Sequence, residues 1–283
     1  MRSVEGVYIN LDRDSGRRAA IEAQLARLAL PYAVQRLAGV DGAKAAGRPQ
    51  ALRPGQFGCW LSHLAALERS LGSGAHLHVV EDNALISPKL AALPELLGAL
   101  ASADWDLLYL DATLVEIADM YRMFDWVRES REKGVVQVCK VPAHFTVYGT
   151  HSYVVNGERK ARVREYLAAR LDSGYPIDNV LAQGIRQGEL KAFLSAPFLI
   201  TGSDAGLESS VGYEGDHGFL AWLLFRRLCF FDLDERALEE LSTRAAELVR
   251  GLPPAEALFG ALCGYRVAAW PPDSRFHPER PRE

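Results

Sequence analysis

The chain has 283 residues and a mass of 31.2 kDa, enough for one large domain or two small ones. Hydrophobic residues at 49% and charged residues at 24% exclude a mainly disordered chain, and 24 Gly with 14 Pro show no collagen-like period. A net charge of -4 and an isoelectric point near 6.0 leave no basic excess to draw the whole molecule onto nucleic acid.

The four cysteines, Cys59, Cys139, Cys229 and Cys263, lie far apart and form no CxxC pair. That is the pattern of buried or free thiols in a reducing compartment, not of a disulfide framework or a zinc knuckle. Met1-Arg2-Ser3-Val4-Glu5-Gly6 has neither an uninterrupted apolar stretch nor a small-residue cleavage site. The longest apolar run, 219–225, stops at Arg226-Arg227, too short to span a bilayer. The expected location is the cytoplasm.

Residues 6–11 are apolar and β-prone (Val7, Tyr8, Ile9), the pattern of a short buried strand. Asp14 or Ser15 can cap a helix with Ile21, Leu25 and Leu28 at helical spacing; Pro31 ends it and 32–37 reads as a second strand. Asp41-Gly42 leads into a polar loop that reaches Pro54-Gly55. Phe57, Trp60, Leu61, Leu64, Leu67 and Leu71 then mark a strongly amphipathic helix. Residues 77–80 form a strand ending in Glu81-Asp82-Asn83, followed by a helix over 90–100 and a strand over 107–110. Beyond them come a charged helix at 120–133, a β-like stretch at 135–138 and a strand at 151–155. Asn156 can cap a helix running through 171, Pro176 opens another, and 191–195 reads as the last strand. Helical patterns then dominate at 219–231, 235–250 and 255–262, before a Pro- and Arg-rich tail.

Alternating strands and helices argue for an α/β layered domain with a largely parallel sheet. Binding and catalytic groups in such sheets gather at the carboxyl ends of the strands. The positions of interest are therefore Asn10-Leu11-Asp12-Arg13, Glu81-Asp82-Asn83 and Asp111. The expected division is a domain over 1–214, a helical C-terminal extension over 215–270 and a flexible tail over 271–283.

Glu81, Asp82 and the amide oxygen of Asn83 offer hard oxygen ligands that could hold a divalent cation gripping a diphosphate. The plain alternative is a helix start, where Asp and Asn are favoured without metal. Arg13, Arg17 and Arg18 could neutralise phosphates beside a helix N-terminus, or could cover a solvated helix face. His63 reads as a hydrogen-bonded helical residue. His76 and His78 alternate along one strand with no third ligand near in sequence and read as structural. Asp178, just after Pro176-Ile177, is either a general base aimed into the crevice or a first-turn residue favoured by the helix dipole. No GxSxG, P-loop or strand-borne GxGxxG occurs, so serine-hydrolase, P-loop and dinucleotide readings lose their main support.

In order, these pieces resemble glycosyltransferase family 25, the bacterial lipooligosaccharide galactosyltransferases and related collagen galactosyltransferase domains. The matching blocks begin with Val7-Tyr8-Ile9-Asn10-Leu11-Asp12-Arg13 with Arg17-Arg18, then Val40-Asp41-Gly42. Leu52-Arg53-Pro54-Gly55-Gln56-Phe57-Gly58-Cys59-Trp60-Leu61-Ser62-His63 and Val79-Val80-Glu81-Asp82-Asn83 follow. Trp105-Asp106-Leu107-Leu108-Tyr109-Leu110, Gly149-Thr150-His151-Ser152-Tyr153 and Pro176-Ile177-Asp178 complete the series, which covers residues 4 to about 212.

The resemblance implies a GT-A-like fold, a UDP-sugar donor such as UDP-galactose, and inverting transfer to a hydroxyl on a cell-surface glycan, lipid-linked or peptide acceptor. It implies a donor site at Asn10, Leu11, Arg13, Arg17, Arg18, Asp41, Gly42, Gly55, His63, Gly149, Thr150 and Tyr153. It also implies Mn²⁺ or Mg²⁺ at Glu81, Asp82 and Asn83, with Asp178 or Asp111 as the base. Two positions depart from the family: Asn83 replaces the last acid of its triplet and Gln56 replaces an acid between Gly55 and Gly58. They support a rival reading as a non-catalytic scaffold or binding subunit; a natural-product tailoring transferase is a third. Outside the match, the apolar surface of Phe219, Trp222, Leu223, Phe225, Leu228, Phe230 and Phe231 packs on the core or a second subunit, or docks on a membrane.

Overall fold

The computed structural model describes residues 2–203, 217–255, 257–258 and 260. Apolar runs form the first strands: Val4–Asn10 (β1), Val34–Ala38 (β2) and His76–Glu81 (β3). β1 pairs in parallel with both others, Gly6 opposite Val34 and Ile9 opposite Glu81. Later strands are Ala84–Ile86 (β4), Leu107–Tyr109 (β5), Thr113–Leu114 (β6), Gln137–Lys140 (β7), Val147–Tyr148 (β8), Ser152–Val155 (β9), Ala192–Ala196 (β10) and Ile200–Gly202 (β11). The main sheet has seven strands in the order β2-β1-β3-β9-β5-β10-β7, and the short pairs β4-β11 and β6-β8 stand apart.

This sheet is mixed, not largely parallel. β9 runs antiparallel to β3 and β5, and β7 antiparallel to β10. The strand 191–195 is also not the last, because β11 follows it. All four residues of β9 are buried. An apolar run buried on both faces has the same composition in either direction, so its polarity is not encoded in the pattern. The reversal brings the amino end of β9 to the carboxyl end of β3, where the Glu81 amide donates to the His151 carbonyl at 2.8 Å.

The helices are Ser15–Arg27 (α1), Pro54–Ser70 (α2), Leu93–Ala99 (α3), Ile117–Lys133 (α4), Lys160–Ala168 (α5), Ile177–Arg186 (α6), His217–Leu228 (α7) and Glu235–Arg250 (α8). One face of the sheet (Val79, Leu107, Tyr109, Tyr153, Val155) packs under Trp60 and Leu67 of α2, Met123 of α4, Val163 of α5 and Val180 of α6. The other (Tyr8, Val80, Leu108, Val154) packs on Ile21 of α1 and on Leu93 and Leu97 of α3. Successive strand residues thus serve opposite layers, and each fully buried large apolar side chain contributes about 1.5–3 kcal/mol. Lys160, 2% exposed, closes the carboxyl end of α2: its Nζ donates to Ser70 O at 2.6 Å and Ser73 O at 2.7 Å.

The first compact unit runs Met1–Asp234, so α7 belongs with the sheet, beyond the boundary expected at 214. Leu223, Leu224 and Phe230 are buried, as the core-packing reading of that apolar segment expects. The second unit, Glu235–Glu283, contains the amphipathic α8. Part of the helix expected over 255–262, Cys263 and the tail over 271–283 lie outside the described residues. Among the described residues, no helix is long and apolar enough to cross a membrane.

His76 and His78 serve the core. His76 stacks on Trp105 and accepts from the Gly157 amide. The fully buried His78 lies 3.1 Å from the Tyr32 hydroxyl and 2.9 Å from Ser152 Oγ. Burial pushes His78 from 6.5 down to about 3, so the folded protein keeps the ring neutral while the unfolded chain protonates it. Its contribution is complete above pH 6.5 and is lost as pH falls toward 3, at up to about 1.4 kcal/mol per pH unit. Urea unfolding across that range should give His78→Asn a shallower acid slope than the wild type; equal slopes would contradict the assignment.

Candidate functional site

The carboxyl ends of β1, β2 and β3 open onto a cavity of about 1020 Å³. Its walls come from segments distant in sequence: Leu11, Arg13 and Arg17 after β1, Asp41 and Gly42 after β2, and Gly55 to His63 on α2. Glu81-Asp82-Asn83, Gly149-Thr150-His151, Asp178 on α6, and Trp222 and Arg226 on α7 complete it.

Close backbone approach fixes the loop after β2 against α2. A Cβ on Gly42 would come within 2.0 Å of the Pro54 carbonyl oxygen, and one on Gly58 within 2.5 Å of that of Val40. Ser62 Oγ donates to Gly58 O at 2.6 Å and accepts from the Val40 amide at 2.8 Å. Gln56 Oε1 accepts from the Arg53 amide at 2.9 Å, which caps the start of α2.

Glu81 ends β3 and meets α2 and the amino end of β9. Thr150 Oγ1 donates to Glu81 Oε1 at 2.6 Å, and His63 Nε2 lies 3.4 Å from the same oxygen. Burial pushes this carboxyl up, but His151, His63 and the Thr150 hydroxyl outweigh it and hold it well below the usual carboxylate range. Burial and the nearby Arg226 push the His151 imidazole down, so Glu81 is the charged member of that pair at neutral pH. His63 itself is 1% exposed; its Nδ1 sits 2.9 Å from the Tyr153 hydroxyl, with the two rings stacked.

Asp82 follows a different set of partners. It accepts from Asn10 Nδ2 at 2.6 Å and lies 3.7 Å from Arg17. Burial pushes its carboxyl up, against the pull of Asn10 and Arg17. Asn83 Nδ2 lies 3.3 Å from His151 Nε2, while Asn83 Oδ1 is buried without a hydrogen-bond partner. The three oxygen-bearing side chains all line the cavity; Glu81 and Asp82 are held by different partners, while Asn83 Oδ1 has none. Among the described residues, the one cluster of three or more His, Cys, Asp or Glu ligand atoms within 4.8 Å of one another is Cys59, His63 and Glu81.

Asp178 stands in the first turn of α6 and accepts from the Asn179 amide at 3.0 Å and from the Gly149 amide. Burial pushes its carboxyl up, with Glu81 adding to the rise. Asp111, 1% exposed, is held by Arg226: Nε donates to Oδ1 at 2.9 Å and Nη2 to Oδ2. Both of its oxygens are thus committed to an ion pair.

Of the residues singled out from sequence, Leu11, Arg13, Arg17, Asp41, Gly42, Gly55, His63, Gly149, Thr150, Asp178 and the 81–83 triplet line the cavity. Five others sit outside the lining. Asn10 holds Asp82 and the Arg36 guanidinium, Asp12 pairs with Arg36, Arg18 pairs with Glu22 on α1, Tyr153 backs His63, and Asp111 backs Arg226. Sequence reasoning missed Cys59 as a cavity residue; its i, i+4 spacing from His63 on an amphipathic helix was the available signal. His151, Trp222 and Arg226 were also missed, the last two because they follow the recognisable blocks.

No family model matches the chain, and no curated protein matches it.

The Asp111–Arg226 pair ties α7 to the sheet edge. Arg226→Met should lower the unfolding free energy by about 3–5 kcal/mol, because it leaves a buried carboxylate unpaired. Asp111→Asn combined with Arg226→Met should recover most of that loss, read by urea denaturation of both singles and the double. Additive losses would contradict the pairing.

Proposed function

We propose that this chain is an inverting glycosyltransferase, of the family 25 type with a GT-A-like fold, that moves a hexose from a UDP-sugar to a hydroxyl acceptor. The observation that carries the reading is convergence. All but one of the blocks that resemble that family, scattered from β1 to α6, contribute to a single cavity at the carboxyl ends of parallel strands, where α/β proteins bind nucleotides; the exception is Trp105 to Leu110, which forms β5 and its flanks in the core. Its volume suits a nucleotide-sugar.

In this reading the acceptor oxygen attacks the anomeric carbon, the bond from that carbon to the diphosphate breaks, and Asp178 takes the acceptor proton. Asp178 suits the task because its desolvated carboxyl is a stronger base than an exposed one. Asp111 is the weaker candidate, with both oxygens bound to Arg226. Negative charge grows on the leaving diphosphate, and Arg13 and Arg17 on the cavity wall can stabilise it by drawing away from Asp41 and Asp82. A Mn²⁺ or Mg²⁺ ion at Glu81, Asp82 and Asn83 would have to compete with Thr150 for Glu81 and with Asn10 for Asp82. Trp222 offers a ring on which a sugar face can stack.

The scaffold reading loses one of its two supports. Gln56 caps α2 through its side-chain oxygen, a role that glutamine and glutamate fill alike. A cell-surface acceptor and its lipid or peptide carrier remain part of the proposal through the family resemblance alone, and a cytoplasmic location through the reading of the cysteines and the N-terminal segment.

Asp178→Asn keeps the acceptor oxygen for the Asn179 and Gly149 amides but removes the base. With UDP-galactose or UDP-glucose and a glycan acceptor, it should lower kcat by about 10²–10⁴-fold. Thermal unfolding should shift by only a few degrees. Unchanged transfer by this variant would eliminate Asp178 as the base.

A further inference from the structure

We infer that Cys59, His63 and Glu81 form a binding site for a borderline-soft divalent transition metal of the zinc class, with its open coordination position facing the cavity. This goes beyond the glycosyltransferase reading, and metal binding can be measured whether or not transfer occurs.

Three observations carry it. The first is the ligand set. Cys59 and His63 lie one turn apart on α2, and Glu81 reaches them from the end of β3. Their ligand atoms all lie within 4.8 Å of one another, and His63 Nε2 is 3.4 Å from Glu81 Oε1. Ligands on a tetrahedral zinc ion stand about 3.3–3.7 Å apart, so the nitrogen–oxygen pair is already at that spacing. A thiolate, an imidazole and one carboxylate suit zinc or cobalt better than magnesium or calcium, which want oxygen alone.

The second observation is an unsatisfied nitrogen. His63 is 1% exposed, and its Nε2 has no hydrogen-bond partner. If Nδ1 carries the proton and donates to Tyr153, the Nε2 lone pair and a carboxyl oxygen face each other as two acceptors at 3.4 Å, a place that a cation can fill. In the other tautomer the Nε2 proton faces Glu81 across 3.4 Å, too long for a good hydrogen bond. A metal on Nε2 resolves both cases.

The third is the support behind the ligands. Tyr153 fixes the imidazole through Nδ1 at 2.9 Å and by stacking, as the outer partners of metal-bound histidines do. Thr150 fixes Glu81 Oε1 at 2.6 Å and stands 3.9 Å from Cys59 Sγ. All three ligands also line the cavity, which leaves a fourth position for water or a substrate oxygen.

The test is a titration of the metal-stripped, full-length protein with Co²⁺ followed by absorption, and with Zn²⁺ in competition with a chromophoric chelator. The wild type should bind one equivalent and develop a thiolate-to-cobalt charge-transfer band together with intense tetrahedral visible bands. Cys59→Ser should abolish the charge-transfer band, while Cys139→Ser and Asp82→Asn retain it. Tyr153→Phe, which keeps the ring but frees the imidazole, should weaken Zn²⁺ by about 10–100-fold. A wild type without the cobalt–thiolate band would overturn the site even if Cys59→Ser failed to fold. So would a band lost with Cys139→Ser, or metal binding lost with Asp82→Asn and kept with Cys59→Ser.

Discussion

One half-buried negative charge organises the cavity end of this molecule. Glu81 closes β3 where solvent reaches its carboxylate only in part, so protein groups supply much of its stabilisation. A hydroxyl from Thr150 and the rings of His63 and His151 supply that stabilisation, and they come from two different parts of the chain. The antiparallel placement of β9 is what delivers Thr150 and His151 to the end of β3. The packing of α2 across the same sheet face delivers His63. Remove the reversal of β9 and the charge has no counterpart; remove the charge and the cavity loses the group around which its polar residues are ordered.

Electrostatics sorts the other acids of the cavity by environment. Glu81 is held ionised, whereas Asp82 and Asp178 are pushed toward protonation by desolvation. Asp111 spends its charge on Arg226 and anchors α7 to the sheet. Carboxylates whose environments drive them apart can play distinct chemical parts, one a fixed charge and another a base. Within the 81–83 triplet, Glu81 and Asn83 both lie near His151, whereas Asp82 turns to Asn10 and Arg17.

Much of this was legible in the sequence. The amphipathic pattern of Phe57 to Leu71 marked α2, and the apolar run before Glu81 marked β3. Strand-end logic pointed to Leu11, Arg13 and the Glu81-Asp82-Asn83 triplet, the helix start after Pro176 to Asp178, and the family resemblance to Gly42. Other features left no local trace. The direction of β9 is invisible because its residues are buried on both faces and carry no alternation to orient them. Asn10 and Tyr153 sat in recognisable blocks and Asp111 at a strand end, but only the fold separates a residue that faces the cavity from one that braces it. Cys59 looked like any isolated thiol until β3 brought Glu81 beside it. Trp222 and Arg226 reach the cavity from a helix whose sequence reads simply as apolar, so their partners had to be found in three dimensions.

The central claim is that the cavity receives a uridine diphosphate sugar. Calorimetric titration of the full chain with UDP, UDP-galactose and UDP-glucose, each with Mn²⁺ and with EDTA, tests it most directly. The account predicts saturable, one-to-one binding of at least one of these nucleotides, with a native-state stabilisation that grows logarithmically with free ligand above its Kd. Absence of binding by every uridine nucleotide under both conditions would contradict it.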